Sequence, residues 1–280
     1  MSTAVSRVED PDVGILLKHW RAVRRMSQLD LASEARTTAR HVSFVETGRS
    51  QPSRLMVLRL ARVLDLPQRE RNELLLAAGF APLYAAEDLS GPALHMIDRA
   101  VTAMLEQHEP FPAVVMDRAW NIVRANRGAA NLFGRLFRPA PVPAAANVLR
   151  LMIEPGPVRD RVVNWSEVVP ALLERATREA VGRVLDQPTA TLVADLRARP
   201  DVAELLAEER PPLPPPVVDV RFDVDGVDIA FFSVVSTIGT PVDVTAQELK
   251  IESFFPSDAQ SSDRWHRAAR DEIGPVRAGS

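Results

Sequence analysis

Apolar residues recur at helical spacing through the first eighty positions of the chain. Leu16, Trp20 and Val23 stand at i, i+4 and i+7, which predicts a first amphipathic helix. Ser27 followed by Asp30 has the pattern of a capping box, so a second helix is predicted to begin there. Capping residues and stop signals predict three more helices, over Ala39–Thr47, Ser53–Leu64 and Pro67–Gly79. Residues 13–80 are therefore predicted to form a compact unit of short helices.

The pattern changes from helical to mixed after residue 80. A linker is predicted at 81–91, and helices over Ser90–His108, from about Asn126 onward and over about 164–209. Runs of β-branched and aromatic residues predict strands over 113–116, 120–125, 217–224, 227–238 and 248–256, with Asp225-Gly226 as a hairpin turn. These elements predict an α+β domain over 92–258, with five antiparallel strands and a helical layer.

Three segments are predicted to lack regular structure. Residues 1–12 are expected to be a flexible N-terminus. The proline run PPLPPP at Pro211–Pro216 is expected to be a stiff connector. Residues 259–280 are expected to be a polar tail that frays.

The composition fits a soluble protein of two domains. The chain has 280 residues, 46% of them hydrophobic and 25% charged, which argues against wholesale disorder. It contains no cysteine, which excludes disulfides, thiolate metal ligands and cysteine nucleophiles. Because the sequence shows no secretion leader and no apolar run of ~18 residues, we expect a cytoplasmic protein without membrane insertion.

Charge is spread unevenly along the chain. Residues 1–80 carry 13 Arg and Lys against 9 Asp and Glu, whereas the whole chain has a net charge of −3. A basic segment ahead of an acidic body is typical of a DNA-contacting module joined to another domain. This imbalance alone does not exclude ordinary scatter of charges, so the evidence for a DNA-contacting module has to come from the sequence motifs.

The predicted helix Ala39–Thr47 has two distinct faces. Val42 and Val45 point inward, and Ala39, Arg40 and Ser43 remain outward. Such a division is typical of the recognition helix of a helix-turn-helix, whose N-terminal side chains reach base edges. Arg40 could bind guanine through two hydrogen bonds.

Residues around this helix complete a predicted DNA-contact surface. Gln28 begins the preceding helix, where amides suit a phosphate, and Arg49 and Arg54 follow the recognition helix. The predicted set is Gln28, Thr38, Ala39, Arg40, His41, Ser43, Phe44, Arg49 and Arg54. Phe44 has an equally good alternative role, packing at the edge of the domain.

The segment RAVRRMSQLDLASEARTTARHVSFVETGRSQPS, residues 21–53, resembles the Xre/Cro-type helix-turn-helix of phage repressors and bacterial regulators. The matching features are Ser27-Gln28, Leu31-Ala32, the Thr38 cap and Glu46-x-Gly48-Arg49. The resemblance implies that Glu46 pairs with Arg21 of the first helix. The chain departs from the family where the turn normally carries glycine, because Arg36 stands there. A positive φ at Arg36 would cost about 1 kcal/mol.

The second part of the chain also resembles known families. VVMDRAWNIVRANRGAANLFG, residues 114–134, resembles the opening of a PAS domain. The whole body resembles the MmyB-like ligand-binding domain found behind Xre-type heads, through HEPFPAVVMDRAWNIVRAN, NVLRLMIEPG, VVNW and STIGTPVDVTAQELKIESFFPSD. The resemblance implies a DNA-binding regulator with a PAS-like sensory domain. Its implied partners are a double-stranded DNA operator, a second copy of the chain, and an apolar effector such as a fatty acid.

The candidate ligand-binding residues are mostly apolar. They are Val114, Met116, Ile122, Asn126, Phe133, Leu136, Leu149, Arg150, Trp165 and Phe231, with Phe111, Leu132, Leu151, Leu172, Phe232 and Phe254 as further possible walls. Arg150 suits a carboxylate, and Asn126 and Asn147 are candidate polar anchors. For each apolar residue ordinary core packing is the alternative. Asn126 could instead cap the following helix, and Arg150 could pair with a nearby acid.

The sequence offers little support for catalysis or a resident metal. The histidines are scattered, and no HExxH, GxSxG, GxGxxG or P-loop pattern is present. We therefore expect no enzyme, no metal site and no cofactor other than a bound fatty acid or similar molecule. Two alternatives to a ligand-responsive regulator are a constitutive dimerisation scaffold and an antitoxin-like protein-interaction module.

Overall fold

A computed structural model describes residues 12–89, 91–181, 187–208 and 217–270 of the chain. The chain forms two compact units, with the division between Ala86 and Glu87 and with Val242–Val244 assigned to the first. Three predicted segments lie wholly or partly outside the described residues, so their predictions are not tested there. They are residues 1–11 of the N-terminus, the connector Pro211–Pro216 and residues 271–280 of the tail.

The first unit is helical, as the sequence predicts. Its helices are α1 (Val13–Val23), α2 (Gln28–Glu34), α3 (Ala39–Glu46), α4 (Arg54–Val63) and α5 (Gln68–Ala77). One hydrophobic core joins them, and its largest fully buried side chains include Leu17, Leu31, Leu60 and Leu74. The apolar stripes that predict the helices are therefore the residues that hold them together.

Side-chain caps begin these helices. Asp30 donates its backbone N–H to Ser27 Oγ at 3.1 Å, and Ser27 donates its own to Asp30 Oδ2 at 2.9 Å, which completes the capping box. His41 donates its backbone N–H to Thr38 Oγ1 at 3.1 Å, at the start of α3. Pro67 differs from the prediction, because it precedes α5 as the capping residue instead of being its first residue.

Helices α1 and α3 approach each other at Gly14. A Cβ on Gly14 would lie 2.6 Å from the carbonyl oxygen of Val45 and 2.7 Å from that of Glu46. No side chain can be accommodated at those distances, so glycine sets the separation of the two helices. The same approach lets Val42 and Val45 enter the core completely.

The helices that follow along the chain are α6 (His95–Gln107), α7 (Arg127–Leu136), α8 (Val148–Ile153), α9 (Trp165–Val181), α10 (Gln187–Ala198), α11 (Pro200–Ala207), α12 (Val244–Glu248) and α13 (Ala259–Arg270). Helix α6 begins later than predicted, because a 3-10 turn at Pro92–Leu94 precedes it. The long helical stretch predicted over 164–209 is divided among α9, α10 and α11. None of the described helices has the length and apolar character needed to cross a bilayer.

The second unit contains an antiparallel sheet of the predicted strands. Its strands are β1 (Ala113–Met116), β2 (Ile122–Ala125), β3 (Val220–Val224), β4 (Val227–Thr237) and β5 (Lys250–Pro256), in the order β2-β1-β5-β4-β3. The fold class is therefore the predicted one, a helical unit followed by a five-stranded antiparallel sheet with helices.

Three strands begin later than predicted, and two of the delays have a local cause. Trp120 precedes β2 with a φ of 67°, which is incompatible with extended backbone. Helix α12 occupies Val244–Glu248 and delays the start of β5 to Lys250. The third is β3, which begins at Val220.

The predicted polar tail is wrong for residues 259–270, which form helix α13. Trp265 is fully buried, packs edge-on against Phe231 with ring centroids 5.5 Å apart, and donates its Nε1–H to the carbonyl of Pro110 at 2.8 Å. The buried hydroxyl of Ser261 accepts the backbone N–H of Ala230 at 3.1 Å. Helix α13 therefore belongs to the core of the second unit.

Candidate functional site

Helix α3 presents the predicted face at the surface. Val42 and Val45 are fully buried, whereas Arg40 is exposed and Ala39 and Ser43 are half-buried. Thr38, Arg49 and Arg54 are exposed, and His41 and Phe44 are half-buried. These predicted contact residues, which come from α3 and from the segments beside it, therefore all keep surface exposure. Their contact with DNA stays a prediction.

Glu46 connects α3 to both preceding helices. Arg21 donates from Nε to Glu46 Oε1 at 2.6 Å and from Nη2 to Oε2 at 3.0 Å, as the family resemblance implies. Gln28 donates from Nε2 to Glu46 Oε2 at 2.7 Å. Burial opposes the charge of Glu46, but the hydrogen bonds and positive charge around it lower its pKa below the usual value. Gln28, predicted to bind a phosphate, thus uses its side-chain amide to orient α3.

Arg40 and Phe44 form one surface feature. The guanidinium Cζ of Arg40 lies 5.1 Å from the centroid of the Phe44 ring, one helical turn further along. This is a cation–π contact, in which the face of the Phe44 ring attracts the Arg40 guanidinium and restricts the motion of its side chain. Phe44 therefore has a structural partner on the surface, which adds a third role to the two considered from the sequence.

The turn between α2 and α3 has the geometry normally provided by glycine. Arg36 has a φ of 54°, in the left-handed region, and its side chain is exposed. The backbone N–H of Thr37 donates to the carbonyl of Ala32 at 2.9 Å across this turn. The turn between α2 and α3 therefore forms without the glycine, at a conformational cost of about 1 kcal/mol.

The second unit contains a largely apolar cavity of about 160 Å³. Its walls come from β1, α7, α8, α9 and the strands β3, β4 and β5. They include Val114, Leu132, Phe133, Val148, Leu151, Met152, Val168, Ala171, Leu172, Val218, Val220, Phe222 and Phe254. Such a mostly apolar lining with a few polar groups is typical of small-molecule sites.

Polar groups from α9, β4 and β5 line the cavity as well. They are Arg175, Ser233 and Glu252. Arg175 donates from Nη1 to Glu252 Oε1 at 3.1 Å, and Ser233 donates its hydroxyl to the same oxygen at 2.6 Å. Burial opposes the charge of Arg175, but Glu252 and Glu179 raise its pKa above the usual arginine value.

Beside this end of the cavity, two cations face the ring of Trp120. Arg175 Cζ lies 4.6 Å and Lys250 Nζ 4.5 Å from the ring centroid of this fully buried residue. Glu179 accepts hydrogen bonds from Arg175 Nε at 3.1 Å and from Lys250 Nζ at 2.6 Å. Burial opposes the ionised form of Glu179, but Lys250 and Arg175 lower its pKa. The two positive charges beside Trp120 are therefore paired with the carboxylates of Glu179 and Glu252.

The predicted ligand residues do not all lie at the cavity. Val114 and Phe133 line it, as do Leu132, Leu151, Leu172 and Phe254 from the wider set of possible walls. Met116, Leu136, Leu149 and Phe231 are fully buried in the core and do not line it, because core strands and helices also consist of apolar residues. Ile122, Phe111 and Trp165 are partly buried residues packed against the core, and Phe232 stacks on Phe255 with centroids 5.6 Å apart.

The polar residues predicted as anchors have structural roles instead. Asn126 Oδ1 accepts the backbone N–H groups of Ala129 at 2.8 Å and Ala113 at 2.9 Å, so it caps α7 and attaches it to β1. Asn147 caps α8, accepting the backbone N–H of Arg150 at 3.3 Å. Arg150 pairs with Glu154 at 2.6 Å and is largely exposed.

Trp165 also packs structurally. Its Nε1 donates to the carbonyl of Met152 at 3.0 Å, and Arg159 lies above its ring at 4.0 Å. The alternatives that the sequence left open are therefore the ones observed for Asn126 and Arg150.

The sequence interpretation missed the polar end of the cavity. Arg175 and Glu252 are 77 positions apart, and neither stands in a recognisable motif. A weak signal was available, because Glu252 lies inside an apolar strand sequence where an acid has to find a partner. Within the described ranges, no three His, Asp or Glu side chains are placed to hold a metal ion.

Two family models match the chain. One, described as the MmyB-like transcription regulator ligand binding domain, matches residues 97–268, and one described as a helix-turn-helix domain matches residues 12–74. No curated protein matches the chain significantly. The first match begins within α6, ends within α13 and includes the cavity. The second begins just before α1, ends within α5 and includes the exposed face of α3.

Proposed function

Because the chain belongs to the family of MmyB-like transcription regulators, we propose that its helix-turn-helix reads an operator under the control of a small molecule bound in the cavity. Both matched domains are those of a regulator, one for DNA and one for a ligand. We place its action in the cytoplasm, with the DNA it reads. The effector is apolar, and a fatty acid is the first candidate class.

The DNA half of the proposal rests on the Glu46 contacts. Hydrogen bonds from Arg21 and Gln28 fix the C-terminal end of α3, and Gly14 sets its distance from α1. Held in this way, α3 presents Arg40 near its N-terminal end, the region of a recognition helix that reaches base edges. We propose that two copies of the chain bind half-sites about 34 Å apart, or a multiple of that distance.

The ligand half of the proposal rests on the cavity. Its volume of about 160 Å³ and its apolar walls suit an apolar molecule. An effector changes operator affinity only if it binds the DNA-competent and incompetent states differently, typically by ~1–3 kcal/mol. The homodimer supplies the two copies of α3 whose spacing such a difference would alter.

The DNA half is tested by replacing the exposed arginine. We expect Arg40→Ala to weaken binding to DNA from the chain's own upstream region by about 1–3 kcal/mol, because a bidentate contact to guanine is lost. Arg62→Ala removes the same charge from the exposed surface of α4 and serves as the matched control. Fluorescence anisotropy with a labelled duplex measures both. Equal binding by the two variants would refute the assignment of α3 as the reading helix.

The ligand half is tested by filling the cavity. Ala171 lines it from α9, so Ala171→Phe is expected to abolish the rise in melting temperature caused by apolar compounds. Ala203→Phe, on the exposed side of α11, is the control. Native mass spectrometry of the unmodified protein then looks for an adduct that denaturation releases. If no apolar compound shifts the melting temperature and no adduct is present, the second unit is a scaffold for dimerisation.

A further inference from the structure

We propose that the fatty-acid effector binds with its methyl end first, and that its chain extends from the cavity into a second apolar space at the surface. This inference rests on the proposed function of the cavity. It adds to that function a second binding space, an orientation of the ligand and a chain length.

The second space is a groove of about 240 Å³, which we call the outer groove. Its walls come from β2, α7, α8 and the segment between the two helices. Each of the described residues that line it is apolar, among them Ile122, Ala130 and Phe137. Ala130 and Val142 are exposed, so the groove opens to solvent.

Two side chains separate the outer groove from the cavity. Phe133 of α7 and Leu151 of α8 line both spaces, so they lie between them. Both are partly buried residues packed against the core of the second unit. A partly exposed side chain can change rotamer without disturbing a close-packed interior. Rotation of Phe133 or Leu151 would therefore join the two spaces into one elongated site.

The two spaces together fit a long acyl chain, which the cavity alone does not. An engineered cavity of about 150 Å³ holds benzene, so a volume of that size takes about six carbon atoms. On this scale the cavity of about 160 Å³ takes about six or seven, and the outer groove about ten. A saturated chain of about fourteen to sixteen carbons would therefore fill both spaces, whereas octanoate would fill the cavity alone.

The charges of the cavity favour the methyl end of the ligand there. Ser233 donates to Glu252 at 2.6 Å, and Arg175 donates to the same carboxylate at 3.1 Å. The Nη2 of Arg175 has almost no accessible surface, so it offers no donor to a ligand in the cavity. A fatty-acid carboxylate would therefore lie beside the carboxylate of Glu252, which repels it. In the open outer groove the same group keeps its hydration.

Chain length tests the second space. Each buried methylene tightens binding about fourfold, so affinity is expected to rise from octanoate through decanoate to tetradecanoate. Ala130→Trp fills the outer groove from an exposed position of α7. We expect it to abolish the gain beyond octanoate and to leave octanoate binding unchanged. Ala203→Trp, on the exposed side of α11, is the matched control. Calorimetric titration of the full chain, below the micelle concentration of each acid, measures the dissociation constants.

Two labelled chains test the orientation on the unmodified protein. One carries a dansyl group in amide linkage at the carboxyl end of an eleven-carbon chain, and the other carries the same group at the methyl end. The two fused rings of the label exceed the space of about six carbons in the cavity, so the labelled end has to stay outside. We expect the methyl-end label to bind at least about tenfold more weakly than the carboxyl-end label, because it would force the carboxylate into the cavity.

The outcomes separate this inference from the proposed function. It would be overturned by tighter binding of the methyl-end label, by no gain beyond octanoate in the unmodified chain, or by an unchanged gain in Ala130→Trp. Each of these results would leave a fatty-acid effector in the cavity. Binding of none of the fatty acids would overturn the inference and the fatty-acid effector together.

Discussion

Glu46 at the end of α3 and Arg21 in α1 form a two-point ion pair, with Nε–Oε1 at 2.6 Å and Nη2–Oε2 at 3.0 Å. The side chain of Glu46 is only 3% exposed, so little solvent screens the pair. Helix α3 is thus fixed to the rest of its unit by a contact that depends on the ionisation of one carboxylate.

Acid is expected to destabilise the first unit through Glu46. Its pKa is lowered in the folded state, so its stabilising contribution is complete above the unfolded value of ~4.3 and is lost as the pH falls through the lower folded value. Urea unfolding between neutral pH and about pH 3 measures this loss. Glu46→Gln is expected to be less stable at neutral pH and to lose less stability on acidification. Glu34→Gln, at the exposed end of α2, should behave like the unmodified chain.

Gly14→Ala is expected to displace α3. Its Cβ would meet the carbonyl oxygens of Val45 and Glu46 at 2.6 and 2.7 Å, and backbone atoms cannot move aside cheaply. We expect a loss of about 1–3 kcal/mol of stability together with weaker DNA binding. Gly134→Ala in α7 is the contrasting control, because no atom outside the neighbouring backbone of its own helix lies within 4 Å of its Cβ position. Alanine also favours a helix by about 1 kcal/mol relative to glycine. In thermal unfolding, Gly14→Ala should lower the melting temperature and Gly134→Ala should raise it.

Arg36→Gly is expected to stabilise the turn before α3. The left-handed φ of 54° costs arginine about 1 kcal/mol more than glycine, and the exposed side chain has no buried contact to lose. Urea unfolding should move to a higher midpoint without a change in slope. An unchanged or lower midpoint would show that the greater freedom of glycine in the unfolded chain outweighs the relief of strain.

Asn126→Ala is expected to be among the most damaging single changes in the second unit. The buried amide accepts from Ala113 and Ala129 and donates to Phe111 at 2.8 Å and Leu105 at 3.3 Å. Removing it leaves several buried backbone groups unpaired, each costing about 1–3 kcal/mol. Asn126→Asp keeps the oxygen that accepts both hydrogen bonds. Its melting temperature should therefore lie between those of the unmodified chain and Asn126→Ala. Equal melting of alanine and aspartate variants would mean that the donated bonds carry the effect.

Local signals explain which elements could be predicted from the sequence. The caps at Ser27 and Thr38 and the strand Ala113–Met116 depend on a few neighbouring residues, and the structure has them where they were predicted. Helix α13 was missed because its apolar face is sparse, with Trp265 as the one large apolar side chain of the helix. A capping signal was present, since Asp258 accepts the backbone N–H of Ser261 at 2.6 Å, and it could have identified the helix.

The residues of a candidate site could be predicted from the sequence only where a single helix or strand contains them. The face of α3 follows from its own periodicity, because Val42 and Val45 identify the buried side. The cavity is built from strands and helices far apart in sequence, so apolar character alone could not separate its walls from the core. Arg175 and Glu252 meet only through the packing of α9 on the sheet, which no local pattern encodes.

The indole of Trp265 closes the core of the second unit on Pro110, 155 positions earlier in the chain. During synthesis β1 cannot pair with β5 until β5 has emerged from the ribosome. In the same way, Ala230 and Phe231 of β4 cannot make their contacts with α13 until that helix has been synthesised. The hydrophobic core of α1 to α5 is built from residues 13–80 alone, so its formation needs no such wait. Translation therefore produces a folded DNA-binding unit while the ligand-binding unit is still an incomplete, apolar nascent chain, which is the stage at which chaperones are most needed.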